Sequence, residues 1–308
     1  MKTSAMFKNA TIFKIHNSSH DSQEELDEML ASHAFAPCGA TQAISAGWVP
    51  PRGHDNGALF EAIGGHIILK LMTETKLLPA EAVERKLDEA CRRTEESTGR
   101  KPGKKQRKEI KEEIILSLLP TALTKRSATF VWMDMARCLA VIDTSSRARA
   151  DDAAAALVRS IEGLQVTPLD TVISPQSWMT RLLQEAEASR DFRVERECEL
   201  RAEGESGAVV RYQNHDLFID EVGEHIDAGK LPVRLVLCYA SRVSFALADA
   251  CVLRGIDILD VALADAQTKD DGFDADVAIV TGELGRLIDG LILELGGETP
   301  QPAITTTN

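Results

Sequence analysis

The chain has 308 residues, and its 35 Lys and Arg against 48 Asp and Glu give a formal net charge of −13 at pH 7. Its apolar fraction of 44% is ordinary for a globular protein, but so acidic a chain is not expected to adhere generally to DNA or to anionic lipid. No apolar run approaches the ~18 residues that a membrane span requires, and the N-terminus lacks the features of a secretory signal. A cytoplasmic protein without membrane association is therefore expected.

Residues 1–78 are predicted to form an N-terminal α+β part of the body. A first strand covers residues 6–15, and Asp21 is expected to cap the helix that follows. A short strand runs into the Pro50-Pro51 break, and residues 57–63 and 66–74 form a hairpin about Gly64-Gly65. The apolar stripe of the predicted helix comprises Leu26, Met29, Leu30 and His33.

Residues 79–126 are predicted to form a helical hairpin. The turn between its two helices contains Gly99, Pro102 and Gly103, which disfavour a continuous helix, and Pro120 ends the second helix. Each helix has one apolar face. These faces comprise Val83, Leu87, Ala90 and Cys91 in the first helix, and Ile110, Ile114 and Leu118 in the second.

Residues 127–297 are predicted to form a C-terminal α+β part that ends in a long helix over Asp274–Leu295. Before that helix come two strands joined near Ala136-Arg137, an alanine-rich helix, a second helix, and two further hairpins. The long helix can pack in the core, contact a second subunit or do both, and the sequence does not choose between these roles. Residues 298–308 are polar and are expected to be a disordered tail. The order of hairpins and helices, without regular βαβ alternation, predicts an α+β fold with mixed antiparallel sheets and helices.

Signatures of enzymes are missing from the sequence. It has no phosphate-binding loop of the GxxxxGK[ST] type, no GxSxG and no HExxH. The six cysteines are scattered without a CxxC pair, so free thiols are expected and a zinc site is not. His20-Asp21, Asp151-Asp152 and Asp270-Asp271 are interpreted as helix caps or solvated loops. No catalytic centre and no cofactor are predicted.

One segment carries a charge opposite in sign to the net charge of the chain. Between residues 92 and 111 nine basic residues face three acidic ones, a local charge of +6 within a chain whose remainder carries −19. The Gly-Pro-Gly turn is expected to place these side chains on a projecting tip, where Lys and Arg can contact DNA phosphates without reading sequence. The predicted DNA-binding residues are Arg92, Arg93, Arg100, Lys101, Lys104, Lys105, Arg107, Lys108, Lys111, Lys125 and Arg126.

The chain resembles the bacterial family of recombination-associated RdgC proteins. The resemblance rests on short matches whose order and spacing extend over nearly the whole length. The matches are residues 34–39 (AFAPCG), 47–51 (GWVPP), 116–120 (LSLLP), 132–134 (WMD), 225–226 (HI), 228–230 (AGK), 273–276 (FDAD), 281–284 (TGEL) and 295–298 (LGGE).

The resemblance implies a crescent-shaped monomer and a ring-shaped homodimer that binds DNA without sequence preference. The sequence leaves open whether double-stranded or single-stranded DNA is preferred. It also implies a role in recombination and replication-fork repair, in which the ring restrains RecA by competing for DNA and associates with the nucleoid. The basic hairpin and Lys125-Arg126 would line the hole of the ring or its rim. Residues 211–215 are interpreted as the tip of a hairpin, and Asn214 and His215 as candidate subunit contacts. Leu123, in the turn after Pro120, is a third candidate, although a core position is the simpler interpretation.

Two alternatives remain open at this point. The first is a metal-dependent nuclease that uses scattered acidic residues, and the second is a protein-interaction module whose basic arm docks on an acidic partner.

Overall fold

The computed structural model describes residues 6–17, 22–53, 57–185, 189, 191–204, 207–265 and 272–300. Within these ranges the chain forms twelve strands, eight α-helices and two short 3-10 helices, Leu119–Thr121 and Asp249–Cys251. The strands are β1 (Asn9–Asn17), β2 (Ile44–Trp48), β3 (Phe60–Ile63), β4 (His66–Leu77), β5 (Leu123–Asp134), β6 (Leu139–Ile142), β7 (Gln165–Pro168), β8 (Phe192–Ala202), β9 (Val209–Tyr212), β10 (Lys230–Tyr239), β11 (Val243–Ala248) and β12 (Val252–Ile258). The helices are α1 (Gln23–Ala31), α2 (Ala80–Thr98), α3 (Lys104–Leu118), α4 (Arg147–Ser160), α5 (Pro175–Glu185), α6 (Asp220–Asp227), α7 (Asp260–Asp265) and α8 (Phe273–Glu294).

The strands form one open sheet in the order β2-β4-β5-β6-β1-β12-β11-β10-β8-β9, with β3 beside β4 and β7 beside β1. Every named pair is antiparallel, which confirms the predicted α+β class. Strand β1 joins the two halves of the sheet, because Asn9 and Ala10 pair with β12 while residues 11–14 pair with β6.

Two apolar clusters lie on opposite faces of the sheet. Because successive side chains of a strand point to opposite faces, Ile12 of β1 joins one cluster and Phe13 joins the other. The first cluster includes Trp178 of α5 and Leu287 of α8, and the second includes the alanine-rich face of α4. The long C-terminal helix therefore packs in the core, one of the two roles that the sequence left open, and a role as a subunit contact stays a prediction.

The predicted Gly-Gly hairpin is confirmed. Strands β3 and β4 pair directly on either side of Gly64 and Gly65, whose φ angles of 60° and 85° favour glycine. Strands β10 and β11 likewise form the third predicted hairpin.

The start of the first helix differs from the prediction. Ser22 caps α1, since its hydroxyl accepts a hydrogen bond from the Glu25 N–H at 3.1 Å. The proposed cap Asp21 lies outside the described residues, as do His20, Asp270, Asp271 and residues 301–308 of the tail. His33 follows the end of α1 and is exposed, so it is not part of the buried stripe. The division of the chain at 78, 126 and 297 stays a prediction.

Candidate nucleic-acid interface

Helices α2 and α3 lie between the end of β4 and the start of β5. These two strands pair over their full length, from His66 opposite Asp134 to Leu77 opposite Leu123. Helix α2 ends at Gly99, whose φ of 70° suits glycine and whose N–H bonds to the carbonyl of Glu95. Helix α3 begins after Gly103, so the predicted helices and the breaker between them are confirmed.

Little of the helix surface is buried. Val83 and Leu87 are the buried residues of α2, and α3 has none in the structure. Because both helices carry only a narrow apolar stripe, most of their polar surface is left accessible. Arg92, Arg93, Arg100 and Lys101 are exposed, as are Lys104, Lys105, Arg107 and Lys108, whereas Lys111 is half-buried.

Ion pairs join the two helices along their shared edge. Arg107 lies 3.1 Å from Asp88 and 3.4 Å from Glu84, and Glu84 also accepts a hydrogen bond from Lys111. The Lys111 hydrogen bond is the main reason why the pKa of Glu84 lies below its ordinary value. Arg107 and Lys111 are therefore engaged within the chain, and they hold α3 against α2.

A second ion pair lies at the base of the helices. Arg126 of β5 is directly opposite Glu74 of β4, and the guanidinium Nε lies 2.6 Å from the Glu74 carboxylate. Glu74 is only 2% exposed and also accepts the Cys38 N–H at 2.7 Å. The Arg126 guanidinium lies 5.3 Å from the centre of the Phe35 ring, within the range of a cation–π contact. Arg126 is thus fixed by two groups of its own chain, the Glu74 carboxylate and the Phe35 ring.

The pKa of Glu74 is lowered, first by the hydrogen bond from Arg126 and then by the Cys38 N–H, against the opposing effect of desolvation. A carboxylate with a depressed folded-state pKa stabilises the fold above its unfolded pKa, and that stabilisation is lost as the pH falls through the folded value. We therefore expect Glu74→Gln to lower the melting temperature at pH 7, with the difference from the parent shrinking as the pH falls below about 4. Thermal unfolding followed by circular dichroism checks this, and an equal difference at pH 7 and pH 3 would contradict it.

Seven of the predicted DNA-binding residues have no ion-pair partner within the described part of the chain. They are Arg92, Arg93, Arg100, Lys101, Lys104, Lys105 and Lys125, and we call this set the basic surface. Lys108 has only a contact of 3.7 Å with Glu112, an exposed pair that contributes little to stability. Ammonium and guanidinium groups that are solvated and unpaired can exchange water for phosphate oxygens at small cost.

Leu123 is not in a turn or in the core, so that interpretation was wrong. It is the first residue of β5 and is 78% exposed. Its cross-strand partner Leu77 is 47% exposed, and the two side chains lie on the same face of the sheet because they are in direct register. Ile44 of β2 lies one row further along that face, opposite Thr75, and is also exposed. An apolar pair therefore stands at the end of the β4–β5 ladder.

Residues 211–215 are not the tip of a hairpin, contrary to the prediction. Strand β9 ends at Tyr212, and the turn that joins it to β8 lies at the opposite end, between residues 202 and 209. Asn214 has a left-handed φ of 51°, which Asn tolerates, and its carbonyl accepts a hydrogen bond from Arg196 at 3.2 Å. The His215 N–H bonds to the Arg196 carbonyl at 3.0 Å. These contacts are within the chain, and a subunit contact by Asn214 or His215 stays a prediction.

Sequence reasoning did not identify Glu74, Glu84 and Asp88. The acidic residues at 84 and 88 are four apart, like the basic residues at 107 and 111, and this matched spacing was an available signal for facing helix edges. Glu74 gave no such signal, because its burial depends on Arg126 and on the backbone at Cys38.

Within the described ranges, no three His, Cys, Asp or Glu side chains are grouped so that they could hold a metal ion. Among the helices described, none has both the length and the apolar character needed to cross a membrane.

The described structure is thus an antiparallel α+β fold in which seven exposed cations lie on α2, α3, the segment between them and the start of β5. The family model described as "Putative exonuclease, RdgC" matches residues 5–298. The chain is 39% identical over 296 residues to the "Recombination-associated protein RdgC" of Herminiimonas arsenicoxydans, with 95% of this chain and 98% of the relative covered. The proteins of the same name from Janthinobacterium sp. (strain Marseille) and Sodalis glossinidius are 39% and 34% identical, with 95% and 96% of this chain and 98% of each relative covered.

The chain belongs to the RdgC family, as the sequence resemblance predicted. Its relatives carry the name of recombination-associated proteins, which makes this chain a recombination-associated protein by family.

Proposed function

We propose that this protein binds DNA without sequence preference through the basic surface of α2, α3 and the start of β5. The observation that carries the proposal is the set of seven exposed cations without ion-pair partners in the described structure, within a chain of net charge −13. Intrachain ion pairs account for Arg107, Lys111 and Arg126, so these three act mainly as supports of the surface. Membership of a family named for recombination agrees with DNA as the polyanion.

The lack of sequence preference follows from the residue types. Lys and Arg contact phosphate oxygens, which are the same for every base pair, and fix the protein on the duplex without reading bases. Residues 79–126, which carry the seven cations, contain no Phe, Trp or Tyr, and the nearby ring of Phe35 lies beneath the Arg126 guanidinium. Base stacking, which single-strand binders use, therefore plays little part in the proposed contact.

The proposed assembly is a homodimer that closes into a ring around DNA. The exposed pair Leu77 and Leu123 supports an apolar subunit contact at the end of the β4–β5 ladder, because large exposed apolar groups next to each other favour association. A ring would place the basic surface toward the enclosed duplex and the acidic remainder of the chain outward, where it repels a second duplex. Occupation of DNA by such a ring would restrain RecA by competition, in the cytoplasm and on the nucleoid.

The family description names an exonuclease, which keeps nuclease activity as a second candidate. One experiment separates the two functions. Two fluorescein-labelled duplexes of unrelated sequence are titrated with the protein in Mg²⁺ or Mn²⁺, and anisotropy and fragment length are measured on the same samples. We expect dissociation constants within about twofold of each other and uncut DNA. Shortening that grows with time and with protein concentration would establish the nuclease instead, and strong preference for one duplex would contradict phosphate-only binding.

A further inference from the structure

A groove with a cavity volume of about 470 Å³ lies between α5 and α6, and the proposed DNA-binding function does not use it. The buried side chain of Leu183 in α5 forms the apolar side of the groove. Phe218 and Ile219, which come just before α6, also line the groove. The groove is built on two helices that also contact strand β10, so its walls are parts of the regular fold.

Phe218 is exposed in an unusual way for this chain. All Phe, Trp and Tyr residues of the chain lie in the described ranges. Among them Phe218 alone is exposed, with 50% of its surface accessible to solvent. Its N–H bonds to the Asp216 carboxylate at 3.1 Å, which fixes the backbone at this position. A large aromatic side chain held at the edge of a groove gains most when a second apolar group covers it.

Gly223 leaves a space in the middle of α6. Glycine destabilises a helix interior relative to alanine. A glycine within a helix is therefore usually explained by a left-handed φ or by a neighbour too close for a Cβ. Neither explanation applies, because the φ of Gly223 is not left-handed and, apart from its two chain neighbours and the backbone of α6 itself, no described atom lies within 4 Å of the place where a Cβ would stand. The missing side chain instead opens the groove beside Phe218.

The rim of the groove is acidic. Asp220, Glu224 and Asp227 line it, and none of the described residues that line it is basic. Asp227 accepts a hydrogen bond from Gln184 of α5 at 3.2 Å, whereas Asp220 and Glu224 have no ion-pair partner in the part of the chain that is described. Three carboxylates exclude a phosphate ligand and complement Lys and Arg.

We propose that the groove between α5 and α6 binds a short, positively charged segment of a partner protein. One apolar side chain of that segment lies against Phe218 and over Gly223, and flanking Lys or Arg side chains face Asp220, Glu224 and Asp227. Anchoring by one buried apolar group inside a charged rim is a common arrangement at peptide-binding grooves. The surface is separate from the one proposed for DNA, so each can fail without the other.

A random dodecapeptide library displayed on phage tests the proposal. Phage are selected for binding to the full-length protein, and those that also bind the Gly223→Leu variant are removed. The Gly223→Leu substitution fills the groove without altering the charge of the protein. We expect the remaining peptides to have net positive charge and one shared aromatic or aliphatic position. Calorimetry with the most enriched synthetic peptide should show at least tenfold weaker binding to Gly223→Leu, Phe218→Ala and Glu224→Lys.

The matched control is Asp151→Lys, which makes the same change of charge at an exposed site on α4 and should leave peptide affinity unchanged. Circular dichroism melting of each variant confirms that it is folded. Three results would each overturn the proposal. They are a selection that yields no peptide preferring the parent to Gly223→Leu, a selection that yields neutral or acidic peptides, and equal affinity of the synthetic peptide for the parent and Gly223→Leu.

Discussion

Replacing Lys101, Lys104 and Lys105 together by Glu is expected to weaken duplex binding about 100-fold near 0.15 M salt. Each phosphate contact contributes about 0.9 to the slope of log K against log salt, which near this concentration corresponds to roughly fivefold in affinity per contact. Three lost contacts give a factor of about a hundred, and the new carboxylates add repulsion. The loss should be the same for unrelated sequences, because no base is read. Fluorescence anisotropy with labelled duplexes measures it.

The matched control is the triple charge reversal of Arg147, Arg149 and Arg159, which are exposed on α4 and make the same change in net charge. We expect this control to weaken binding far less, because only the general field changes and that field is screened beyond about 8 Å at physiological salt. Equal losses in the two triple variants would show that net charge, and not the basic surface, governs binding.

Leu123→Asp is expected to break one of the two contacts that close the proposed ring, so that the dimer dissociates at a higher protein concentration than the parent and its mass falls toward half on dilution. The variant places a carboxylate opposite Leu77 in the ladder, where an apolar subunit contact would have to desolvate it. Because Leu123 is 78% exposed in the single chain, the substitution should leave the melting temperature of the protomer nearly unchanged. Light scattering coupled to gel filtration measures the mass, with and without DNA.

Val158→Asp is the control for this variant, since Val158 is an exposed apolar residue on α4. Its mass should equal that of the parent. A parent that is already a monomer, or a Leu123→Asp variant that keeps the parent mass at every dilution, would contradict a subunit contact at this place.

Local sequence signals were sufficient for much of the fold. The apolar spacing of Val83 and Leu87 and the breaker around Gly99 predicted α2 and its end, and the Gly64-Gly65 pair predicted the β3–β4 turn. These features depend on residues within a few positions of each other, so periodicity and turn chemistry are enough to find them. The class of fold followed from the order of such elements.

Features that depend on distant residues were not predicted. Leu123 was placed in a turn because Pro120 ends α3, yet pairing with Leu77 extends β5 outward to that residue. The position of residues 211–215 depends on the pairing of Tyr212 with Cys198, which no local pattern states. For the same reason, the sequence did not distinguish Arg126, held by the buried Glu74, from Lys125 beside it. Register between strands decides each of these cases.

The salt dependence of duplex affinity is the most direct test of the central claim, that the basic surface binds the phosphate backbone. If all seven cations of the basic surface contact phosphates, log K against log salt should have a slope of about −6 per bound protomer, from about −0.9 for each contact. In the triple variant of Lys101, Lys104 and Lys105 the slope should be shallower by about 3. A parent slope near zero, or identical slopes for parent and variant, would contradict binding through this surface.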